Sequence, residues 1–361
     1  MSSIYSVIKV VLFAVFVQHV GKVIYLLGFH KAVYNHKPGS CHLIEGVEYG
    51  SEDIQTLPNG FAFITSGMKL FAAEETNKEV KGKIFLFNFA NPSKKVVLLE
   101  LKNFDQETFD PHGISVYKDD ETEKITVFVV NHHPISERIE KFEYDYANLS
   151  LTHVKTYVDA KFTMMNDVLA TSEDTFYVTI MNRFRSKLLR HIEALLTLPL
   201  GSVVYYDGKD TSTVASNLYL PNGINWSPDH KFVYVVSVTV FGNGFNVFHR
   251  KADMSLAFKE RVPVYTGVDN IEVLPNGDIW TGCHPRPVEI SQMTHNRSLS
   301  ASSQVLRIGM KNGEMVSVTE VYSNDRNGII HGSSAATFYR GKMLIGTVHH
   351  KLLYCEIDQK F

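Results

Sequence analysis

The chain has 361 residues, 36 Lys and Arg against 38 Asp and Glu, and 44% hydrophobic residues. A near-neutral balance without a basic patch argues against nucleic acid, and the apolar content excludes an extended disordered chain. Length alone suggests two or three domains, yet a ring of repeated units commonly uses this many residues as one.

In chain order the first element is an apolar segment from about Ile4 to Gly28, interrupted only by Lys9, His19 and Lys22. An uncleaved signal anchor, spanning or lying in a membrane, fits it best. A cleaved signal peptide would want a shorter apolar run and a small-residue cleavage site, and no clean one precedes His30. A buried core helix is the other alternative, and the segment's place ahead of the first repeat and its lack of a polar face speak against it. Residues 1–30 are expected to form a signal anchor or membrane helix, and 31–361 one β domain.

Six short polar clusters then recur at a spacing of roughly 50 to 60 residues. They are Glu52-Asp53 ahead of the Pro58-Asn59-Gly60 turn, His112-Gly113, Asn166-Asp167, Pro221-Asn222-Gly223, Asp269-Asn270 and His331-Gly332. Alternating apolar residues follow, as in Phe61-Ala62-Phe63-Ile64-Thr65 and Val233-Tyr234-Val235-Val236-Ser237. If each repeat is a four-stranded blade, the clusters take equivalent places on the innermost strands and converge on a central axis. The fold class expected is all-β, a six-bladed β-propeller carrying an N-terminal apolar helix. Ser186 to Leu200 reads as a further helix, with Lys187, Arg190 and His191 among leucines.

Cys41 and Cys355 bracket the repeats. A propeller opens at one seam unless its first and last strands are joined. A disulfide there would stabilise the domain by roughly 5 kcal/mol on the chain-entropy model and imply an oxidising compartment. Two separate buried thiols are the alternative that spacing leaves open. Cys283 reads as a packed thiol. In a secretory chain the sequons at Asn148 and Asn296 sit in polar, turn-like surroundings and are candidate glycosylation sites, whereas Asn225 stands beside a candidate metal-binding turn and is expected to be inaccessible.

The clusters pool Glu52, Asp53, His112, Asn166, Asp167, Asn222, Asp269 and Asn270. Carboxylates mixed with side-chain amides are hard oxygen donors, which suit Ca²⁺ better than zinc or copper. Glu52 and Asp269 with Asn166, Asn222 and Asn270 balance the charge of one Ca²⁺ and leave positions open. Asp53 and Asp167, each following a proposed ligand, suit a second ion one layer deeper, with a backbone carbonyl. Asn59 and Asn276 are left as turn formers. His112 and His132 are the candidates for proton transfer, in one blade and able to pair. No serine-nucleophile elbow, phosphate-binding glycine loop or zinc-protease motif occurs.

These residues make the chain resemble the paraoxonase/arylesterase family of calcium-dependent lactonases and esterases. The matching blocks include Glu45 to Asp53, Leu57 to Ile64, Asp110-Pro111-His112-Gly113-Ile114-Ser115, Val129-Val130-Asn131-His132, Asn166-Asp167 and Asn222-Gly223-Ile224-Asn225. They continue through Asp269-Asn270-Ile271 and Gly282-Cys283-His284-Pro285 to Leu344-Ile345-Gly346-Thr347-Val348. The resemblance implies a six-bladed propeller with two calcium ions in its tunnel, locked by a Cys41–Cys355 bridge. It assigns Glu52, Asn166, Asn222, Asp269 and Asn270 to a catalytic ion, and Asp53, Asp167 and the Ile114 carbonyl to a structural one. It makes His112 and His132 a catalytic dyad, with Asp269 an alternative base, and His284 part of the active-site wall. It makes the segment after Ser186 a lid over the active site that touches lipid, a plain lid packed on the propeller top being the alternative, and the N-terminal segment a membrane or lipoprotein anchor.

The chain departs from the family at Ile180-Met181-Asn182-Arg183-Phe184, at the substrate mouth. The implied activity is calcium-dependent hydrolysis of aryl esters and lactones by an enzyme in the secretory pathway, membrane-anchored and lumenal or extracellular, or secreted. The implied partners are a small ester or lactone and a lipid surface. The alternative is a non-catalytic, membrane-tethered assembly factor whose client is another membrane protein.

Overall fold

The computed structural model describes residues 2–70, 80–93, 95–238 and 244–358. It opens with helix α1 (Ser2–Leu26), whose side chains are nearly all exposed. Its 23-residue stretch Ile4–Leu26 is long and apolar enough to cross a membrane. The end of α1 is tied to the rest of the chain by backbone bonds: Val288 N–H donates to the Leu27 carbonyl at 3.1 Å.

Twenty-five strands follow among the described residues, grouped in six sheets. Strand β1 (Cys41–Leu43) is set aside for the last of them. Blade one comprises β2 (Ile54–Thr56), β3 (Phe61–Ser66), β4 (Lys83–Asn88) and β5 (Val97–Leu98). Blade two has β6 (Glu100–Lys102) as an outer fifth strand beyond β7 (Pro111–Lys118), β8 (Ile125–His132), β9 (Glu137–Asp145) and β10 (Ser150–Tyr157). Blade three is β11 (Met165–Ala170), β12 (Phe176–Ile180), β13 (Gly201–Tyr206) and β14 (Thr211–Leu218). Blade four is β15 (Pro221–Trp226), β16 (Phe232–Ser237), β17 (Gly244–Arg250) and β18 (Leu256–Val262). Blade five is β19 (Gly267–Val273), β20 (Ile279–His284), β21 (Ser303–Lys311) and β22 (Glu314–Asn324). Blade six joins β23 (Ser333–Tyr339), β24 (Lys342–Thr347) and β25 (Leu353–Glu356) to β1 from the start of the domain. Helices α2 (Lys187–Leu195) and α3 (Pro287–His295) are inserted after the second strands of blades three and five.

The ring is an all-β six-bladed propeller, and its seam lies within blade six. Cys41 and Cys355 face each other across β1 and β25 and are joined by a disulfide spanning 314 residues. The core is divided the same way. Six apolar clusters each fill one interface between neighbouring blades; Phe63, Leu86 and Phe109 with Val127 and Phe142 join blades one and two, and Ala62, Phe85 and Phe87 with Leu344 and Tyr354 join blades one and six. The other four interfaces are filled in the same manner. Both faces of each blade are therefore covered, which explains second strands such as Ile125–His132 that are buried at every residue.

The inner strands carry one recurring irregularity. Pairing with the second strand skips two residues in β7 (between Pro111 and Ile114), β11 (Met165 and Val168), β15 (Pro221 and Ile224), β19 (Val268 and Ile271) and β23 (Ser333 and Ala336). In blade one, Glu52 and Asp53 share the single partner Thr65 through Glu52 N to Thr65 O and Thr65 N to Asp53 O. These bulges aim two consecutive residues at the axis.

Candidate metal centre and histidine pair

Five of the six bulge pairs are those the sequence singles out: Glu52-Asp53, His112-Gly113, Asn166-Asp167, Asn222-Gly223 and Asp269-Asn270. The sixth differs from expectation. The bulge of blade six holds Ser334-Ala335, and His331-Gly332 lies just ahead of β23, where the His331 ring packs against His350 at 4.6 Å. The histidine suggests an axial donor by residue type, but the register is set by pairing of Ser333 with Thr347. Ser334 is the residue missed there: its hydroxyl donates to the Glu52 carbonyl at 2.6 Å.

The first members of the pairs, together with Asn270, the second member of its pair, meet around the axis. Asn270 Nδ2 donates to both the carbonyl and Oε1 of Glu52 at 2.9 Å, and Glu52 Oε1 lies 3.4 Å from His112 Nε2. Asn166 Nδ2 lies 3.2 Å from that same nitrogen. Asp269 Oδ2 is 2.7 Å from His284 Nε2, and the Asn222 carbonyl accepts from the Thr179 hydroxyl at 2.8 Å. Each of these side chains is buried.

One layer deeper, large and small residues alternate around the ring: Asp53, Gly113, Asp167, Gly223, Asn270 and Ala335. The alternation is steric. A Cβ on Gly113 would sit 2.5 Å from Asp167 Cα, and one on Gly223 would sit 2.7 Å from the Asp269 carbonyl oxygen. Asp53 accepts from Ile54 N and Ile114 N at 2.8 Å, and Asp167 from Val168 N at 2.7 Å and Ile224 N at 2.8 Å, so each carboxylate bridges its own blade to the next.

Glu52 Oε2, Asn166 Oδ1, Asn222 Oδ1, Asp269 Oδ1 and Asn270 Oδ1 are buried without a hydrogen-bond partner among the described residues. An unsatisfied buried oxygen costs about 1–3 kcal/mol, so five of them, from four blades, call for a common partner. The carboxylates report the same deficit. Burial, then the neighbouring Glu52 charge, pushes Asp53 well above the usual carboxylate range against two backbone bonds that favour ionisation. Burial and the Asp53 charge do the same to Asp167, and burial raises Asp269 against the opposing effect of His284. A divalent cation would relieve both strains. The orphaned set is two carboxylates and three amides. These donors are all oxygens, unlike the nitrogen and sulfur ligands that zinc favours, and among the described residues no three of His, Cys, Asp and Glu gather as a metal-binding group.

The histidines form a directed chain. His112 Nδ1 is 2.8 Å from His132 Nε2, and His132 Nδ1 is 3.0 Å from both oxygens of Glu137. Glu137 Oε2 also accepts from Met165 N at 3.0 Å. A carboxylate only accepts, so in the neutral pair His132 carries its proton on Nδ1 and its Nε2 accepts from His112 Nδ1–H, which leaves the lone pair on His112 Nε2 toward the axis, beside Asn166 Nδ2. Burial pulls the His132 ring down, but the Glu137 charge and hydrogen bond outweigh it and leave the ring above its ordinary value. Burial raises Glu137, and His132 reverses this to leave it below the usual range. Glu137 was not read from the sequence. Its signal is the short link between β8 and β9, which pairs His132 with Glu137.

Met181 and Asn182 are buried, and α2 presents Leu188, Leu189, Ile192 and Leu195 to solvent while burying Glu193. His19 Nε2 of α1 lies 3.2 Å from the Leu195 carbonyl, so the two apolar helices touch. Cys283 lies on the second strand of blade five, buried, its thiol pushed up by burial. Asn148 and Asn296 are exposed, whereas Asn225 is part-buried with Nδ2 donating to the Ile271 carbonyl at 3.2 Å.

Residues 32–357 match the family model described as Arylesterase. The chain is 39% identical over 320 residues to serum paraoxonase/arylesterase 2 of Gallus gallus, covering 88% of this chain and 89% of that protein. It is 36% identical over 323 residues to serum paraoxonase/lactonase 3 of Homo sapiens, covering 89% of this chain and 90% of that one. Among solved structures a luciferin-regenerating enzyme superposes with a TM-score of 0.53 at 11% identity, covering 90% of this chain and all 100% of that one, a likeness of fold.

Proposed function

This chain belongs to the arylesterase family, and on that premise we propose that it is a calcium-dependent hydrolase of aryl esters and lactones, anchored to a membrane through α1. The observation that carries the proposal is the set of five orphaned buried oxygens beside the paired histidine His112, whose Nε2 lies among them, 3.2 Å from Asn166 Nδ2 and 3.4 Å from Glu52 Oε1.

Glu52, Asn166, Asn222, Asp269 and Asn270 would hold one Ca²⁺, with a formal donor charge that matches it and fewer donors than the six to eight calcium accepts. Asp53, Asp167 and the Ile114 carbonyl would hold a second, structural ion. When bound, the first ion supplies polarisation of a substrate carbonyl and stabilisation of the charge that develops on its oxygen. His112 Nε2 takes a proton from the attacking water, and His132 with Glu137 fixes the ring in the accepting tautomer. Asp269 is less suited to that task, because its Oδ2 is held by His284. His284 walls the site, its Nδ1 without a partner among the described residues. A Cys41–Cys355 disulfide fits an oxidising lumen or exterior, where Asn148 and Asn296 would carry glycans. The exposed leucines of α2 and the length of α1 together suit a lipid surface. No feature of the described residues favours a non-catalytic assembly factor.

The test is hydrolysis of phenyl acetate and of a panel of γ- and δ-lactones by the purified full chain in detergent, with and without chelator, against Glu52→Gln and His112→Gln. Chelator-sensitive turnover that both variants lose supports the reading. A folded chain that binds calcium and is inert to every substrate overturns it in favour of the assembly factor.

A further inference from the structure

The connection between β24 and β25 carries a histidine that the chemistry above leaves unused. Thr347, the last residue of β24, pairs with Ser333 at the start of β23, as Asn131 pairs with Pro111 and Cys283 with Val268. The residues that come next after Asn131, Cys283 and Thr347 therefore stand at the same end of the ring as the bulges. His132 and His284 are two of them. Val348 is the third, packed against Met68 and Met293 in a small apolar cluster, and His349 comes next.

His349 is 7% exposed, and neither ring nitrogen makes a well-formed hydrogen bond among the described residues, the one backbone group that acts on the ring being that of Val348. A buried imidazole offers one N–H and one lone pair, and leaving either unmet is costly. The charged or titratable groups that face it are Arg297, whose Nη2 donates to the Met68 carbonyl at 2.5 Å, and His112. Burial, then the Arg297 charge, pushes the His349 ring down to about 3, so it stays neutral and keeps one donor and one acceptor at working pH. A substrate hydroxyl offers the complementary pair, an O–H and a lone pair, on one atom.

We infer that His349 is a specificity-determining residue of this hydrolase, binding a hydroxyl group carried by the ester or lactone substrate so that hydroxylated substrates are turned over in preference to hydrocarbon analogues of similar size. The inference rests on the hydrolase reading above. A site built to hydrogen-bond a hydroxyl disfavours the analogue that lacks it, because its own polar groups then remain buried and unpaired. For one neutral side chain the expected discrimination is about 10- to 100-fold.

The experiment compares kcat/KM for γ-(hydroxymethyl)-γ-butyrolactone and γ-valerolactone, which differ by one hydroxyl, in the full chain in detergent. The wild type is expected to favour the hydroxylated lactone at least tenfold. His349→Phe should abolish that preference while leaving γ-valerolactone turnover within about threefold, and His349→Gln, which keeps a donor and an acceptor, should retain part of it. Equal turnover of the two lactones by wild type, or equal loss of both in His349→Phe, overturns the inference and leaves the hydrolase reading standing. A second readout needs no folded Phe variant: in ¹⁵N-histidine-labelled wild type, tetrahydrofurfuryl alcohol should shift the ring signals that are missing in His349→Gln. Unmoved signals overturn the inference. Failure to hydrolyse either lactone counts against the hydrolase reading, while the labelling measurement still decides the role of His349.

Discussion

Replacing Glu137 by Gln removes one charge and little else. Glu137 Oε2 accepts from Met165 N at 3.0 Å, a bond that an amide oxygen can keep, so the turn between β8 and β9 should hold. What changes is the contact with His132, where both carboxylate oxygens lie 3.0 Å from Nδ1. One of the two becomes an NH₂ that cannot accept, and the preference for the tautomer that leaves His112 Nε2 unprotonated is lost. Two charges about 4 Å apart at an effective dielectric of 20 attract by roughly 4 kcal/mol, an upper bound on what the carboxylate gives the protonated dyad. Partners that orient an active histidine typically contribute about 10- to 100-fold. We therefore expect kcat for phenyl acetate to fall by that factor with KM within about twofold, and calcium affinity to be unchanged. The pH dependence follows with a definite sign. Glu137 contributes to holding His132 above its ordinary value, so its loss lowers the His132 pKa and moves the acid limb of the kcat profile to lower pH. Stopped-flow hydrolysis across pH reads both. Turnover within twofold of wild type, or a loss confined to KM, would refute the directed histidine chain.

Three further outcomes are expected. Cys41→Ser with Cys355→Ser should lower stability by about 2–5 kcal/mol in denaturant unfolding, the range for removal of a native disulfide, and reduction of the wild type should reproduce the loss. Gly113→Ala should destabilise the chain and weaken cation retention against chelator, because the added Cβ would sit 2.5 Å from Asp167 Cα in backbone that cannot move aside; normal retention would discount the alternating inner ring. Burial, then the Glu52 and Asp53 charges respectively, raises the Asp53 and Asp167 carboxyls, so a Ca²⁺ bound there would displace protons; calorimetry in buffers of differing ionisation enthalpy should register proton release, increasing as pH falls.

The ring and most of its axis were legible from the sequence because bulges place consecutive residues at the axis, so a polar pair survives as a pair in the linear chain. Asn166-Asp167 and Asp269-Asn270 announce themselves in this way. Where the partner is brought by strand pairing, the chain is silent. Glu137 reaches His132 only through the register of β8 with β9, and Ser334 takes the sixth axial place through pairing of Ser333 with Thr347, whereas the sixth polar cluster of the sequence, His331-Gly332, lies ahead of the strand. His349 escaped for a related reason. It follows a second strand rather than an inner one, so the repeat that flagged the ligands does not touch it, although it stands one residue beyond Val348, the place that His132 holds two blades away and His284 holds in the neighbouring blade.

Anomalous X-ray scattering from crystals of the native chain grown with calcium and without chelator addresses the five orphaned oxygens most directly. A calcium peak on the propeller axis within about 2.3–2.6 Å of Glu52, Asn166, Asn222, Asp269 and Asn270 is the result expected. An axis free of any cation, with those oxygens paired to water or to one another and full esterase activity in the same preparation, would contradict it.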